Sequence, residues 1–242
     1  MADIALNPVL APTAPGAPLI QAIGLHKTFG TTEALRGIDL DVNQGEVLAV
    51  MGPSGSGKST LIHCLAGVLA PDEGQVVIGD TDVTALNADQ RAKLRLERIG
   101  FVFQFGQLLP DLTALDNVAL PLLMNGMGRR AATVRARKWL DRLDLSDQVA
   151  KVPGDMSGGQ AQRVAIARAL VTQPSVIFAD EPTGSLDSIA GEKVLTAMLD
   201  AVRETGTTVM LITHDPRTAA YADREVIVRD GKLSAASRGA TS

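Results

Sequence analysis

A single stretch, Gly52-Pro53-Ser54-Gly55-Ser56-Gly57-Lys58-Ser59-Thr60, carries residue types and a spacing suited to binding a polyanion. It follows the pattern G-x-x-x-x-G-K-[ST] of a phosphate loop. Gly52, Gly55 and Gly57 let the backbone wrap closely, so the N–H groups of Ser54, Ser56 and Thr60 and their neighbours converge on one anion. A helix starting at Lys58 adds the positive end of its dipole. In such a loop Lys58 reaches the β- and γ-phosphates of a nucleotide and Ser59 ligates Mg²⁺.

A phosphate loop needs an acidic partner for the magnesium ion. The apolar run Val176-Ile177-Phe178-Ala179 reads as a buried strand, and it ends in Asp180-Glu181. A carboxylate at the C-terminal end of a parallel strand lies at the ligand edge of the sheet. Asp180 suits the Mg²⁺ shell, and Glu181 suits a residue that polarises water for attack on the γ-phosphate. Taken alone the pair also reads as a solvated acidic turn; the phosphate loop upstream favours the chemical role.

A third element is Met156-Ser157-Gly158-Gly159-Gln160. Ser157 can cap a helix, and Gln160 three residues later completes a capping box. Gly158 and Gly159 leave the first turn bare, so its N-terminus is open to an anion. One nucleotide per chain has no need of two such sites. The second is therefore expected to serve a nucleotide held by another copy, the alternative being an ordinary capped helix.

The elements that must position these residues follow from pattern. The chain has 242 residues, 45% hydrophobic and 21% charged, enough for one large α/β domain or two small ones. Residues 1–18, rich in Ala and Pro, read as a flexible tail and not as a signal peptide. Ile38, Leu40 and Val42 alternate with Asp39 and Asp41, the mark of a half-buried antiparallel strand. Strands are expected at 46–51, 75–79, 99–103, 175–180 and 207–213, with two weak ones at 225–228 and 232–234. Helices are expected at 58–69, 91–98, 113–124, 133–143, from 157 onward, and at 187–204. That alternation implies a parallel sheet with crossover helices, interrupted by a helical block.

Composition excludes other classes. The net charge of −4 and an aromatic content of 3% argue against a nucleic-acid binder. No run approaches the ~18 apolar residues of a membrane span. The single cysteine, Cys64, excludes an internal disulfide, and His26, His63 and His214 lack metal-ligand spacing. Cys64 and His63 read as core and structural residues. Arg129, Arg130, Arg135, Arg137 and Lys138 around Trp139 read as a solvated face, with anionic lipid or a partner loop as the sharper alternative.

The run MSGGQAQRVAIARAL, residues 156–170, resembles the signature of ABC (ATP-binding cassette) ATPases, with Met156 where Leu is commoner. The order of phosphate loop, glutamine, signature, Asp-Glu and histidine matches as well, and the resemblance runs from about residue 19 to 235. It implies an α/β fold: a P-loop NTPase parallel-sheet core, an N-terminal antiparallel β subdomain and an inserted α-helical subdomain at about 105–165. One domain would span 19–238.

The same resemblance assigns further roles. Phe29 stands where an aromatic residue, usually Tyr, stacks on adenine. Gln104 corresponds to the glutamine that senses Mg²⁺ and the γ-phosphate and leads into the helical block meeting a membrane partner. Ser185-Leu186-Asp187 corresponds to the loop coupling two ATP sites, and His214 to the switch histidine on the γ-phosphate. Two chains are expected to pack head to tail as a homodimer, each ATP held between Lys58 of one and Ser157 of the other.

Finer motifs resemble one branch of the family, serving lipoprotein release, macrolide and peptide efflux, haem export and cell division. They are the runs 95–104, 108–118 and Asp180-Glu181-Pro182-Thr183-Gly184-Ser185-Leu186-Asp187. The branch implies a separate integral permease with four membrane helices and a large extracytoplasmic domain, and a place for this chain on the cytoplasmic face of the membrane. Alternatives within the resemblance are a regulatory ATPase that transports nothing and an amino-acid importer subunit. A soluble ABC ATPase acting on DNA or ribosomes fits the composition less well.

Overall fold

The computed structural model describes residues 18–235; the segment 1–17 of the expected tail and the last residues, 236–242, lie outside it. Two sheets organise the chain. The first is antiparallel, ordered β2-β1-β4-β5, from β1 (Ile20–Phe29), β2 (Thr32–Val42), β4 (Glu73–Ile78) and β5 (Thr81–Asp82). The second is ordered β10-β9-β3-β8-β7-β6, from β3 (Val47–Met51), β6 (Ile99–Phe103), β7 (Val176–Asp180), β8 (Thr208–Ile212), β9 (Arg224–Arg229) and β10 (Lys232–Ala235). Its strands are parallel except β10, which forms a hairpin with β9.

The parallel strands are apolar on both faces because both faces are covered. Alternate residues enter two separate cores. Val47, Ile177, Ala179, Val209 and Leu211 face a core built with four helices: α3 (Ala114–Met124), α4 (Arg129–Arg142), α5 (Gly158–Leu170) and α6 (Ser188–Thr205). Leu48, Val50, Val176, Phe178, Met210 and Ile212 face the other core, with the antiparallel sheet and α1 (Lys58–Leu65). The remaining α-helices among the described residues are α2 (Ala88–Arg98) and the short α7 (Pro216–Ala219).

The expected strands and helices are present, with shifted ends that have local causes. α1 stops at Leu65 rather than 69, because Gly67 turns at φ +63° and a Cβ there would stand 2.9 Å from Val83 Cγ1. α2 starts three residues before Arg91 because Asn87 and Gln90 form a capping box. α4 starts at Arg129, four residues early, and buries Ala132, Ala136, Trp139 and Leu140. β1 gave no sequence signal: register shifts between Ala22 and Leu25 and between Lys27 and Thr28 break its period of two.

Candidate active site

The register of the parallel sheet brings the chemical residues together. Val50, Ile212, Asp180 and Phe103 lie in one cross-strand row on β3, β8, β7 and β6. The residues that follow emerge at the same C-terminal edge: the loop from Gly52, then Thr213-His214, Glu181 and Gln104. That edge is where parallel α/β sheets hold ligands.

An open cleft of about 980 Å³ lies there, lined by Ser54, Gly55, Gly57, Lys58, Ser59, Thr60, Gln104, Asp180, Glu181 and His214. Lys58, buried, donates from Nζ to the carbonyls of Gly52 and Pro53 at 2.8 Å each. Ser59 Oγ donates to Asp180 Oδ2 at 3.3 Å. Burial raises the Asp180 carboxyl above its usual range; the Ser59 hydrogen bond and the nearby charges of His63 and Lys58 oppose that, and Glu181 adds to it. Ser59 and Asp180 are hard oxygen donors at the mouth of an anion cradle, a set that fits Mg²⁺ held jointly with phosphate oxygens. Among the described residues no group of three or more His, Cys, Asp or Glu side chains converges as a metal cage.

Glu181 occupies a left-handed conformation at φ +47°, uncommon without glycine. Its N–H donates to Ile212 O at 3.0 Å, and its carbonyl accepts from Gly184 N at 3.0 Å. Its Oε1 stands 2.7 Å from His214 Nδ1. A Cβ on Gly184 would lie 2.9 Å from Gln104 Nε2 and 3.3 Å from Glu181 Oε2. Gly184 thus lies close to both the Gln104 amide and the Glu181 carboxylate, with no room for a side chain of its own.

The Gln104 segment is held from three directions. Ser185 Oγ donates to Gln104 O at 2.8 Å, and Gln162 Nε2 donates to Phe103 O at 2.8 Å. The Arg168 guanidinium donates to Gln107 O at 2.8 Å and Gly106 O at 2.9 Å. Gln162 and Arg168 belong to α5, so the helix that begins at Ser157 also fixes the glutamine loop. Sequence reasoning singled out neither residue.

The Ser157 turn lies elsewhere. Ser157 Oγ accepts from Gln160 N at 3.3 Å and Gln160 Oε1 accepts from Ser157 N at 2.9 Å, completing the capping box. Ser157, Gly158, Gly159, Gln160 and Asp187 line a second groove that shares no lining residue with the phosphate-loop cleft. Asp187 caps α6, accepting from Ile189 N and Ala190 N. Phe29, about half exposed at the end of β1, is outside the set lining the cleft, with Lys27 Nζ 5.7 Å from its ring centre. Gly52 and Ser56, although in the loop, are outside the set of residues lining the cleft. The cleft wall also includes Thr32, Glu33, Arg36, Phe105, Asp230 and Gly231, which the motifs did not mark, although Asp-Gly is itself a strong hairpin signal.

Comparisons with known proteins agree with this arrangement. Residues 35–184 match the family model described as ABC transporter. The lipoprotein-releasing system ATP-binding protein LolD of Porphyromonas gingivalis is 42% identical over 215 residues, 89% of this chain and 98% of LolD. The macrolide export ATP-binding/permease protein MacB 1/2 of Paracoccus denitrificans is 47% identical over 224 residues, 91% of this chain but 33% of that longer protein. Among solved structures, the dimeric post-hydrolysis state of the ATP-binding cassette MJ0796 bound to ADP and Pi superposes with a TM-score of 0.81 at 37% identity, covering 89% of this chain and 98% of that one.

Proposed function

The chain belongs to the ABC transporter family as one of its ATP-binding, ATP-hydrolysing subunits, and we propose that it drives a separate membrane permease to move a lipoprotein or other amphipathic substrate out of the membrane. The reading of the substrate rests on LolD and MacB, whose names specify lipoprotein release and macrolide export. No helix among the described residues is long and apolar enough to cross a membrane. The matched third of MacB, a protein named for both ATP binding and permease, supports a partner that supplies the membrane part. That partner is of the branch with four membrane helices and a large extracytoplasmic domain, and this subunit docks on its cytoplasmic face.

The observation that carries the ATPase chemistry is the 2.7 Å pairing of Glu181 with His214 beside the Ser59–Asp180 pair. Backbone N–H groups of the phosphate loop and Lys58 hold the β- and γ-phosphates. Ser59 and Asp180, with Gln104, would hold Mg²⁺, which would neutralise charge on those phosphates. Glu181 accepts a proton from the attacking water while the water oxygen bonds to the γ-phosphorus. The bond to the bridging oxygen breaks, leaving ADP and phosphate. His214 orients the Glu181 carboxylate and faces the γ-phosphate, and Phe29 stacks on adenine.

The separation of the Ser157 groove from the Lys58 cleft supports completion of each site by a second copy. Its bare helix N-terminus supplies N–H donors to the partner's γ-phosphate. The dimeric state of MJ0796 accords with that packing.

Co-purification tests the transport reading. Tagged Glu181→Gln protein, isolated from detergent-solubilised membranes with ATP, is expected to bring down a four-helix membrane protein with a large outer domain. A partner with five or more helices and no such domain assigns the subunit to an importer or a different exporter class. Recovery of only soluble proteins, ribosomes or DNA overturns the transport reading.

A further inference from the structure

Phosphate-loop glycines are ordinarily explained by the anion they approach, but two of the three here are closed off by other strands. A Cβ on Gly52 would stand 2.0 Å from Val228 O on β9. A Cβ on Gly57 would stand 2.4 Å from Ala34 O on β2. Gly55, by contrast, has nothing within 4 Å. The loop is therefore clamped by neighbouring backbone at both ends and free at its crest.

The clamp has a keystone in the β9–β10 hairpin. Arg229 pairs with Lys232, leaving a two-residue turn of Asp230 at φ +50° and Gly231 at φ +74°. Two positive φ angles define the turn whose twist suits a hairpin. Gly231 N–H donates to Ser56 O in the phosphate loop at 3.0 Å, and Gly231 O accepts from Arg36 N on β2 at 2.8 Å. One residue, through its N–H and its carbonyl, thus ties the loop to the antiparallel sheet. A Cβ on Gly231 would lie 2.9 Å from Ala34 O and 3.1 Å from Arg36 Cγ. The Ala34 carbonyl is wedged between Gly57 and Gly231. The Ser56 hydroxyl is buried without a hydrogen-bond partner, so the loop is held here through its main chain.

We propose that Gly231 is a positioning residue for nucleotide binding, holding the phosphate-loop N–H groups in register through Ser56 and Ala34 while lining the cleft beside Asp230. The proposal rests on the assignment of that loop to ATP. A side chain at Gly231 pushes on Ala34, which in turn bears on Gly57, the residue before Lys58. The loop N–H groups then lose their common focus. The phosphates are already in place once nucleotide saturates the site, so the loss falls on affinity more than on turnover.

Gly231→Ala in the full-length protein is the test, with Gly126→Ala as its control. Gly126, between α3 and α4 and not among the residues lining the cleft, has φ +81° and nothing within 4 Å of a Cβ, so alanine there carries backbone strain without steric contact. Fluorescent ATP and ADP analogues give Kd, and steady-state hydrolysis gives KM and kcat. Losing the alignment of one N–H to a charged phosphate costs roughly tenfold in affinity. Gly231→Ala is expected to raise Kd for both nucleotides and KM by that factor, with kcat within about twofold of wild type. Gly126→Ala is expected to lower Tm with Kd unchanged. Wild-type affinity in Gly231→Ala, or an equal affinity loss in Gly126→Ala, overturns the proposal. A Lys58→Ala arm separates the two levels: if it binds as tightly as wild type, the loop assignment itself fails; if it alone loses binding, only the role of Gly231 does.

Discussion

Glu181 Oε1 and His214 Nδ1 lie 2.7 Å apart although 33 residues separate them in sequence. Each follows a parallel strand, β7 and β8, whose residues Asp180 and Ile212 are direct partners in the sheet. The pair is a product of sheet register, and no local sequence feature places it. Glu181 also adopts φ +47°, which turns its side chain out of the strand direction and onto Gly184. Strain of this kind persists where the surroundings over-determine it, and it concentrates at sites with a chemical task.

A double-mutant cycle tests whether the two act as one unit. Glu181→Gln is expected to bind ATP and to hydrolyse it at least about 10²-fold more slowly, as for loss of a general base. His214→Ala is expected to slow hydrolysis strongly as well. The double variant should be little worse than Glu181→Gln alone, because groups acting together are non-additive. Phosphate release in a single turnover reads all three. Additive losses would make the 2.7 Å contact incidental.

How far the sequence reveals this site depends on where the information resides. Residues fixed by local spacing were legible: Lys58 in its loop, the Ser157–Gln160 capping box, Asp180-Glu181 at the end of an apolar run. The strands β6, β7 and β8 were legible because both faces are buried, which makes short apolar runs. β1 was not, since bulges scramble its alternation. Gln162, Arg168 and Gly231 were missed for a different reason. Their partners are backbone carbonyls 59, 62 and 175 residues away, the last being Ser56, and a carbonyl leaves no trace in side-chain identity.

At Asp180 the proposed Mg²⁺-holding role would oppose stability. Its carboxyl is raised above the usual range, chiefly by burial. A carboxyl with a folded pKa above its unfolded value favours the fold at low pH, and that contribution is lost as pH rises through the folded pKa. Asp180→Asn does not titrate. With a chelator present and no nucleotide, its Tm advantage over wild type should therefore grow from acid to neutral pH. An advantage independent of pH would show that the charge is not what costs stability.

Arg168 should couple stability to activity. Its guanidinium satisfies the carbonyls of Gly106 and Gln107, just beyond Gln104. Arg168→Met leaves both without that donor, at a cost of about 2–4 kcal/mol, read as a Tm fall of roughly 5–10 °C. Hydrolysis should fall in the folded protein as well, measured well below the transition. Full activity there would confine Arg168 to stability.

Cys64 lies on α1, and burial pushes its thiol up to about 11. Alkylation needs the thiolate. Native protein at pH 8 is expected to resist iodoacetamide and to be labelled at once in denaturant, as intact mass spectrometry will show. Rapid native labelling would mean that α1 opens readily, which the burial of its Leu61, Cys64 and Leu65 against the antiparallel sheet opposes.

The two separate grooves lead to a prediction about assembly. Ser157 and Gly158 share no cavity with Lys58, so a bulky cation at Ser157 should leave ATP binding by one copy intact. Glu181→Gln with Mg²⁺ and ATP is expected to elute as a dimer, and as a monomer without nucleotide, by light scattering on a sizing column. Adding Ser157→Arg removes the cap, costing about 1 kcal/mol, and fills the bare helix N-terminus with a side chain. That double variant should bind ATP with the affinity of Glu181→Gln measured under monomeric conditions, yet remain a monomer. The cost of the lost cap is too small to unfold a domain of this size, so a monomer that binds ATP isolates the effect at the interface. If Ser157→Arg abolishes ATP binding by the monomer, the serine serves its own copy's cleft, and the shared-site arrangement is wrong.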